Sequence, residues 1–355
     1  MGQTIYKGDG EKVKSKIMLM GLLFLIVIIT SACGAKEEAT KESGSEKIQQ
    51  VRVANWSKPI TEQTNLLVDE KKHFFKDKGL DVSVIPGEGG GDAIKNIVSG
   101  QADIAFTDPG SLFFALDKGE KLKVIYNIYP QNVFNIVSLK DKKINKPQDL
   151  KGKTIGVYSL TSGTRQNLLV LLHQAGLSEN DVKIVETGLL NFAPLMQGKV
   201  DATAATDTGL AVAKQKGLDE VNVMEVKDYL NVPSDVFVVT EKTYDEKKDV
   251  LKEFLEAYSS SAQWMIKNPE EAAKLASEYA IDGKDEKQNL KIINLRNISS
   301  VSSEGTDSKG LGVLDTSVLQ KGADAYLQLG LIENSIDMKE AVRDDLLPNK
   351  TEEKK

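Results

Sequence analysis

The chain has 355 residues, 40% hydrophobic and 28% charged, enough for two ordinary domains with cores of their own. Its formal net charge of −6 offers no basic field for nucleic acid. The single cysteine, Cys33, excludes an internal disulfide framework.

Lys12, Lys14 and Lys16 precede an apolar run over 17–29, broken only by Gly21. The run then meets Thr30-Ser31-Ala32-Cys33. A positive start, an apolar stretch of ~7–15 residues and small residues at the cut compose a secretory signal. A membrane span needs about 20 residues; a retained membrane anchor is the alternative reading. Ser31-Ala32-Cys33 resembles the lipobox of bacterial lipoproteins, with Thr30 where that pattern usually has leucine. The resemblance implies cleavage before Cys33, lipidation of its sulfur and an extracytoplasmic protein anchored to a bacterial membrane. Residues 1–32 therefore read as a signal peptide. Residues 33–50, rich in Lys, Glu, Ser and Gly, read as a flexible tether.

Beyond residue 50, strand patterns at 51–54, 80–85 and 102–106 alternate with helical ones. After Gly87–Gly91, Asp92 opens a helix with Ala93, Ile94, Ile97 and Val98 on one face, stopped by Gly100. Further strands are expected at 136–139, 154–157, 182–185, 200–205 and 236–240, with a helix over 164–175. Val250, Leu251, Phe254, Leu255, Tyr258, Ala262 and Met265 make one helical stripe. Asn268-Pro269-Glu270 restarts a helix, 299–312 reads as a loop, and Ala323, Tyr326 and Leu327 mark a late helix. The end, 349–355, is a charged tail. Strands alternating with helices argue for α/β architecture with mainly parallel sheets.

One motif occurs twice. Gly100-Gln101-Ala102-Asp103 leads through a strand to Thr107-Asp108, and Gly198-Lys199-Val200-Asp201 through one residue more to Thr206-Asp207. Two similar lobes, each with polar groups at a strand's carboxyl end, imply a ligand cleft between them.

With these motifs in order the chain resembles the solute-binding proteins of ABC importers for nitrate, sulfonates, taurine and thiamine pyrimidine precursors. The resemblance spans about 51–348. It rests on the two Gly-x-x-Asp segments, Asp149–Val157, Ser162-Gly163-Thr164 and Ala325–Ile332. It implies a two-lobe, type II periplasmic-binding-protein-like fold, with lobe one at 51–135 plus 237–348 and lobe two at 136–236. It further implies an ABC permease and its ATPase as partners, and a monomer that is a binding protein rather than an enzyme, with no cofactor.

Each candidate ligand contact has a plainer reading beside it. Trp56, directly after the first strand, stacks on a planar ligand or fills the core. Gly89 and Gly90 let backbone approach a ligand, or only make a tight turn. Asp108 and Asp207 accept from a ligand's donors, cap helices, or both. Ser162, Gly163 and Thr164 open a helix whose free amides suit an anion or a carbonyl, with Arg165 adding charge in the first turn. Tyr129, Asn191 and the neighbouring Phe192 are looser candidates. His73 and His173 have no ligand-spaced company for a metal.

The expected function is capture of a small organic molecule by lobe closure for delivery to a permease. Trp56 with two carboxylates favours an amino-bearing heteroaromatic such as a thiamine pyrimidine precursor; the Ser162–Arg165 segment keeps a sulfonate or nitrate open. A lipid-anchored ligand sensor is one alternative. An enzyme like the pyrimidine synthases of this fold is another, but those carry a cysteine-rich motif that this chain lacks.

Overall fold

Among the described residues, ten strands alternate with helices and gather into two five-stranded sheets. The computed structural model describes residues 48–190 and 192–348; the expected signal peptide, Cys33, most of the tether, Asn191 and the charged tail lie outside them. The first sheet holds β1 (Gln49–Asn55), β2 (Leu80–Ile85), β3 (Ile104–Thr107), β4 (Leu122–Tyr129) and β10 (Asp235–Thr240) in the order β2-β1-β3-β10-β4. The second holds β5 (Phe134–Leu139), β6 (Thr154–Val157), β7 (Lys183–Glu186), β8 (Ala202–Thr206) and β9 (Val221–Glu225) in the order β7-β6-β8-β5-β9. Each sheet with its helices makes one lobe.

β1 begins at Gln49, because Gln49 and Gln50 already pair with Leu80 and Asp81. The tether expected to run to residue 50 therefore stops short of that. A backbone ladder needs no apolar side chain, so two exposed glutamines hide the strand's start.

Both sheets have one plan. β1 pairs in parallel with β2 and β3, and β6 with β7 and β8. β10 and β5 run antiparallel to both of their neighbours. Connectivity is the cause. The chain leaves β4 and enters β5 through residues 130–133, and leaves β9 and enters β10 through 226–234. A chain that exits one sheet where its parallel strands end enters the other sheet from that same side. The entering strand must then oppose its neighbours. β5 starts at Phe134 and β10 at Asp235, ahead of the expected lobe boundaries at 136 and 237.

Alternation along the strands buries both faces of each sheet. In the first, Val51, Val53, Phe237 and Val239 pack on one side, and Ala54, Ala105, Val236 and Val238 on the other. In the second, Ile136 and Val137 face opposite cores. The expected helices form as Gly90–Val98, Gly163–Gln174, Lys248–Lys267, Pro269–Tyr279 and Thr316–Gln328. The stretch 299–312, expected as a loop, instead carries the end of helix Glu286–Ser300 and the short helix Glu304–Lys309. The Ser303 hydroxyl caps that short helix by accepting from the Gly305 N–H (3.1 Å).

The repeated Gly-x-x-Asp motif has a structural meaning. Gly100 (φ 74°) and Gly198 (φ 67°) take the left-handed conformation that ends the preceding helix. The aspartate three residues on ties the incoming strand to the first parallel strand of its sheet. Asp103 accepts from the Arg52 N–H (2.9 Å) and donates its own N–H to the Arg52 carbonyl (2.8 Å). Asp201 does the same with Thr154, at 3.0 and 2.8 Å. Asp103 also meets the Arg52 side chain (3.0 Å) and Lys247 (2.8 Å).

Burial alone would raise the Asp103 carboxyl, but its bonds to Arg52 and Lys247 outweigh that and hold it at about 2. A depressed carboxyl stabilises the fold above its unfolded value near ~4 and loses that contribution as pH falls through its folded value. Both cationic partners are partly solvated, so the stabilisation is about 1 kcal/mol. Asp103→Asn is expected to lower the thermal midpoint at neutral pH, with the gap from wild type closing between about pH 4 and pH 2. Circular dichroism melts across that range check it; an unchanged gap at pH 2 would contradict the assignment.

Candidate functional site

The carboxyl ends of the parallel strands in the two sheets face one another, and the segments that leave those ends line the gap. Trp56 and Glu62 come after β1, Gly89 and Gly90 after β2, Asp108 after β3, and Tyr158 to Thr164 after β6. Because β5 and β10 enter their sheets from this side, their first residues, Phe134 and Asp235, join the lining. The gap has two chambers. An inner one of about 40 Å³ has the charged residues Asp108, Asp235, Glu62 and Arg296, with Ser162, among otherwise apolar walls. An outer one of about 250 Å³ is largely apolar, lined by Leu189, Phe192, Met196 and Val212 with Ile60 and Ile292 opposite. Trp56, Glu62, Tyr158, Thr164 and Thr206 border both.

The lobes touch around these chambers. The Gly91 N–H donates to the Thr161 carbonyl (2.9 Å), and the Thr161 hydroxyl donates to the Glu88 carbonyl (3.0 Å), which the Ser159 hydroxyl also meets. Gly89 is required here: at φ 139°, a Cβ would lie 2.5 Å from the Thr161 backbone. A Cβ on Gly163 would lie 2.7 Å from the Phe134 ring of its own lobe and 3.2 Å from Asp108 of the other. Trp56 and Tyr158, from opposite lobes, meet edge to face at 6.1 Å.

Deeper still lies Arg296, on helix Glu286–Ser300 and only 1% exposed. Its Nε donates to Glu62 (3.0 Å) in its own lobe. Its terminal nitrogens donate to Asp207 (2.8 Å) and to the Thr208 hydroxyl (3.0 Å) in the other. Thr208 in turn donates to Glu62 (3.2 Å). The Tyr129 ring lies 5.1 Å beneath the guanidinium, and its hydroxyl donates to the Glu62 carbonyl (3.3 Å).

The sequence candidates separate accordingly. Trp56, Gly89, Gly90, Asp108, Ser162, Gly163 and Thr164 line the inner chamber, and Phe192 the outer. Arg165 does not: it pairs with Glu179 on the flank of its own lobe, so the expected anion-binding charge is missing from the cleft. Tyr129 is buried behind the site as the platform under Arg296. Asp207 is spent on Arg296 and lines a separate cavity of about 160 Å³ behind the crossings. Nor does Asp207 cap its helix; the Thr206 hydroxyl does, accepting from Gly209 (3.4 Å). Counting from the shared aspartate explains this. Asp108 lies five residues after Asp103, and Thr206 five after Asp201, so Thr206 is the true counterpart of Asp108. The extra residue in the second copy pushes Asp207 past the cleft. Glu62, Phe134, Tyr158, Asp235 and Arg296 carry no motif and were reachable only as isolated polar or aromatic residues near strand ends.

The electrostatics are unusual. Burial pushes the Asp108 carboxyl up to about 6, against the pull of its bonds from the Ser111 N–H and hydroxyl, both 2.8 Å. Asp235 is raised well above the usual carboxylate range by burial, with Glu62 and Asp108 adding to it. Glu62 is also raised, by burial first, although Arg296 opposes it. Burial works against the Arg296 charge, but Asp207 and Glu62 prevail and hold it protonated. The Trp56 indole N–H is buried with no hydrogen-bond partner among the described residues. The site thus offers buried acceptors, one free donor and an aromatic wall from each lobe.

Comparison with known proteins matches residues 60–272 to a family described as NMT1/THI5 like. The riboflavin-binding protein RibY of Chloroflexus aurantiacus is 22% identical over 94% of this chain and 98% of its own. The formylaminopyrimidine-binding protein of Halalkalibacterium halodurans is 24% identical over 70% of this chain and 75% of its own. Among solved structures, the alkanesulfonate-binding protein SsuA of Xanthomonas axonopodis pv. citri, bound to MOPS, superposes with a TM-score of 0.65. It is 15% identical and covers 83% of this chain and 98% of its own. The two-lobe periplasmic-binding-protein-like fold implied by the sequence is thereby found.

Two substitutions test the site's energetics. Asparagine caps helices as well as aspartate does, so Asp108→Asn keeps the cap while removing a carboxyl that prefers its proton. A raised carboxyl stabilises the fold below its unfolded value near ~4 and loses that contribution as pH rises through its folded value, about 6. Asp108→Asn is therefore expected to be more stable than wild type by about 2 kcal/mol at pH 8 and no more stable at pH 4. Urea unfolding at both pH values decides it. Arg296→Met strands Glu62 and Asp207 without their cation and is expected to lose about 3 kcal/mol or more; a loss under ~1 kcal/mol in the same assay would refute a structural role for the network.

Proposed function

The chain belongs to the NMT1/THI5-like family, and from that premise we propose that it is the extracytoplasmic solute-binding component of an ABC importer. It captures a small organic molecule between the lobes built on the two sheets, which join through 130–133 and 226–234, and delivers it to a permease and its ATPase. It works as a monomer, held to the membrane by lipid at Cys33, and carries out no chemistry on its ligand.

The observation that carries this reading is the pair of chambers enclosed between two lobes whose contacts are mostly small and polar. Backbone bonds across Gly91 and Thr161, and glycines where the lobes approach closest, describe surfaces that part and rejoin. A ligand that touches both lobes stabilises the closed arrangement by its differential affinity. The cleft lining favours a planar heteroaromatic with both donors and acceptors. Trp56 and Tyr158 supply aromatic walls, Asp108 and Asp235 accept, and the Trp56 N–H donates. Relatives named for formylaminopyrimidine and riboflavin point the same way. A sulfonate or nitrate fits less well, because Arg165 lies outside the cleft and Arg296 is already paired twice.

A thermal-shift panel of pyrimidines, flavins, sulfonates, taurine and nitrate tests the reading. A compound at about a hundred times its Kd adds ~2.7 kcal/mol of stability. The expected hit is a pyrimidine or flavin, lost in Trp56→Ala and accompanied by a smaller radius of gyration in small-angle scattering. No shift with any member of the panel, or a shift without compaction, would count against capture by closure.

A further inference from the structure

Resting on the ligand-binding reading above, the charge inventory of the inner chamber narrows what it holds. Three carboxylates line it, those of Glu62, Asp108 and Asp235, with Arg296 as the cation among its walls. Arg296 divides its charge between Glu62 and Asp207, and its three hydrogen bonds go to those two and to Thr208. It makes no hydrogen bond or ion pair with the other two carboxylates, and Asp235 feels its charge only through space. Asp108 at least receives two hydrogen bonds from Ser111 and sits at a helix N-terminus. The Asp235 carboxyl, in a residue only 7% exposed, makes no hydrogen bond or ion pair among the described residues, yet it borders the chamber. The described groups packed around it add no cation beyond Arg296. Tyr129 stands opposite it on β4, Tyr258 approaches from helix Lys248–Lys267, and Glu62 and Asp108 face it across the chamber.

A buried carboxylate without a partner is costly, and it ionises only when an opposite charge is supplied. Among the described residues only Arg296 acts on Asp235, at a distance and already paired with Glu62 and Asp207. The walls beside the carboxylates are the rings of Trp56 and Tyr158, whose faces attract a delocalised cation and do nothing for an anion. We propose that the inner chamber takes a planar cation, an amidinium or ring-protonated amino-heterocycle, with its N–H edge on Asp235 and Asp108. The uncharged remainder of such a ligand extends into the apolar outer chamber, past Phe192 and Met196. The cation enters in exchange for a carboxyl proton, so affinity rises with pH as long as the ligand keeps its charge.

The test uses the full chain and three probes of one shape and different charge: benzamidine, which stays protonated throughout, neutral benzamide and anionic benzoate. Isothermal titration at about pH 8 is expected to show benzamidine binding at least about tenfold more tightly than benzamide, with benzoate weakest. Benzamidine should weaken at about pH 5, where the carboxyls hold their protons. In Asp235→Asn the preference for benzamidine over benzamide should fall below about threefold. Should that variant not fold, the wild-type ranking and its pH dependence still decide the matter. Benzamide or benzoate binding as tightly as benzamidine overturns the proposal and leaves the capture reading standing. Absence of binding by all three also overturns it, whereas the capture reading fails only if the wider panel of heteroaromatics and anions produces no shift.

Discussion

Arg296 sets the terms for the rest of the molecule. A guanidinium at 1% exposure survives burial only if its charge is answered, and here the answer comes from both lobes: Glu62 on one side, Asp207 and Thr208 on the other. The network fixes how the lobes meet at their deepest point and leaves Asp108 and Asp235 to face the cleft without a cation. Tyr129 is buried as the ring under the guanidinium and the donor to the Glu62 backbone. Removing Glu62 or Asp207 leaves the buried guanidinium short of a partner, so these residues, scattered through the chain, depend on one another.

Connectivity supplies the second constraint. Each lobe borrows one strand that arrives from the other, and that strand must run against its neighbours. Both crossings are therefore fastened at both ends by sheet hydrogen bonds, which confines bending to the short stretches between β4 and β5 and between β9 and β10. The same topology brings the first residues of the borrowed strands to the cleft edge. Asp235 and Phe134 occupy the site because of strand direction, not because of any local motif.

The site also shows a tension between stability and binding. A carboxyl at about 6 in Asp108, and one also raised by burial in Asp235, are groups that a fold optimised for its own stability would not bury. Around them the lobes meet through backbone bonds and bare glycines, with Gly89 against Thr161 and Gly163 against Asp108. Apart from the Arg296 network these contacts are small, and the buried Asp235 carboxyl remains without a hydrogen-bond partner among the described residues. A ligand that provides donors resolves both deficits at once.

Much of this architecture was legible because it is local. Strand and helix periods, the left-handed glycines at 100 and 198, the proline restart at 269 and the glycine turn at 87–91 depend on neighbours a few residues away. The repeated Gly-x-x-Asp likewise marked two similar units, and the first strand ends led to Trp56, Asp108 and Ser162–Thr164. What the sequence alone could not contain is which charges neutralise one another. Asp207 looked like a cleft carboxylate until Arg296, from a helix with apolar residues spread around it, claimed it across the lobes. Arg165 looked like a cleft cation until Glu179 drew it to the flank. Asp235 looked like the start of an ordinary strand until that strand's direction carried it to the site. Coulomb attraction and burial act through space between residues far apart in the chain, so only the folded arrangement could assign them.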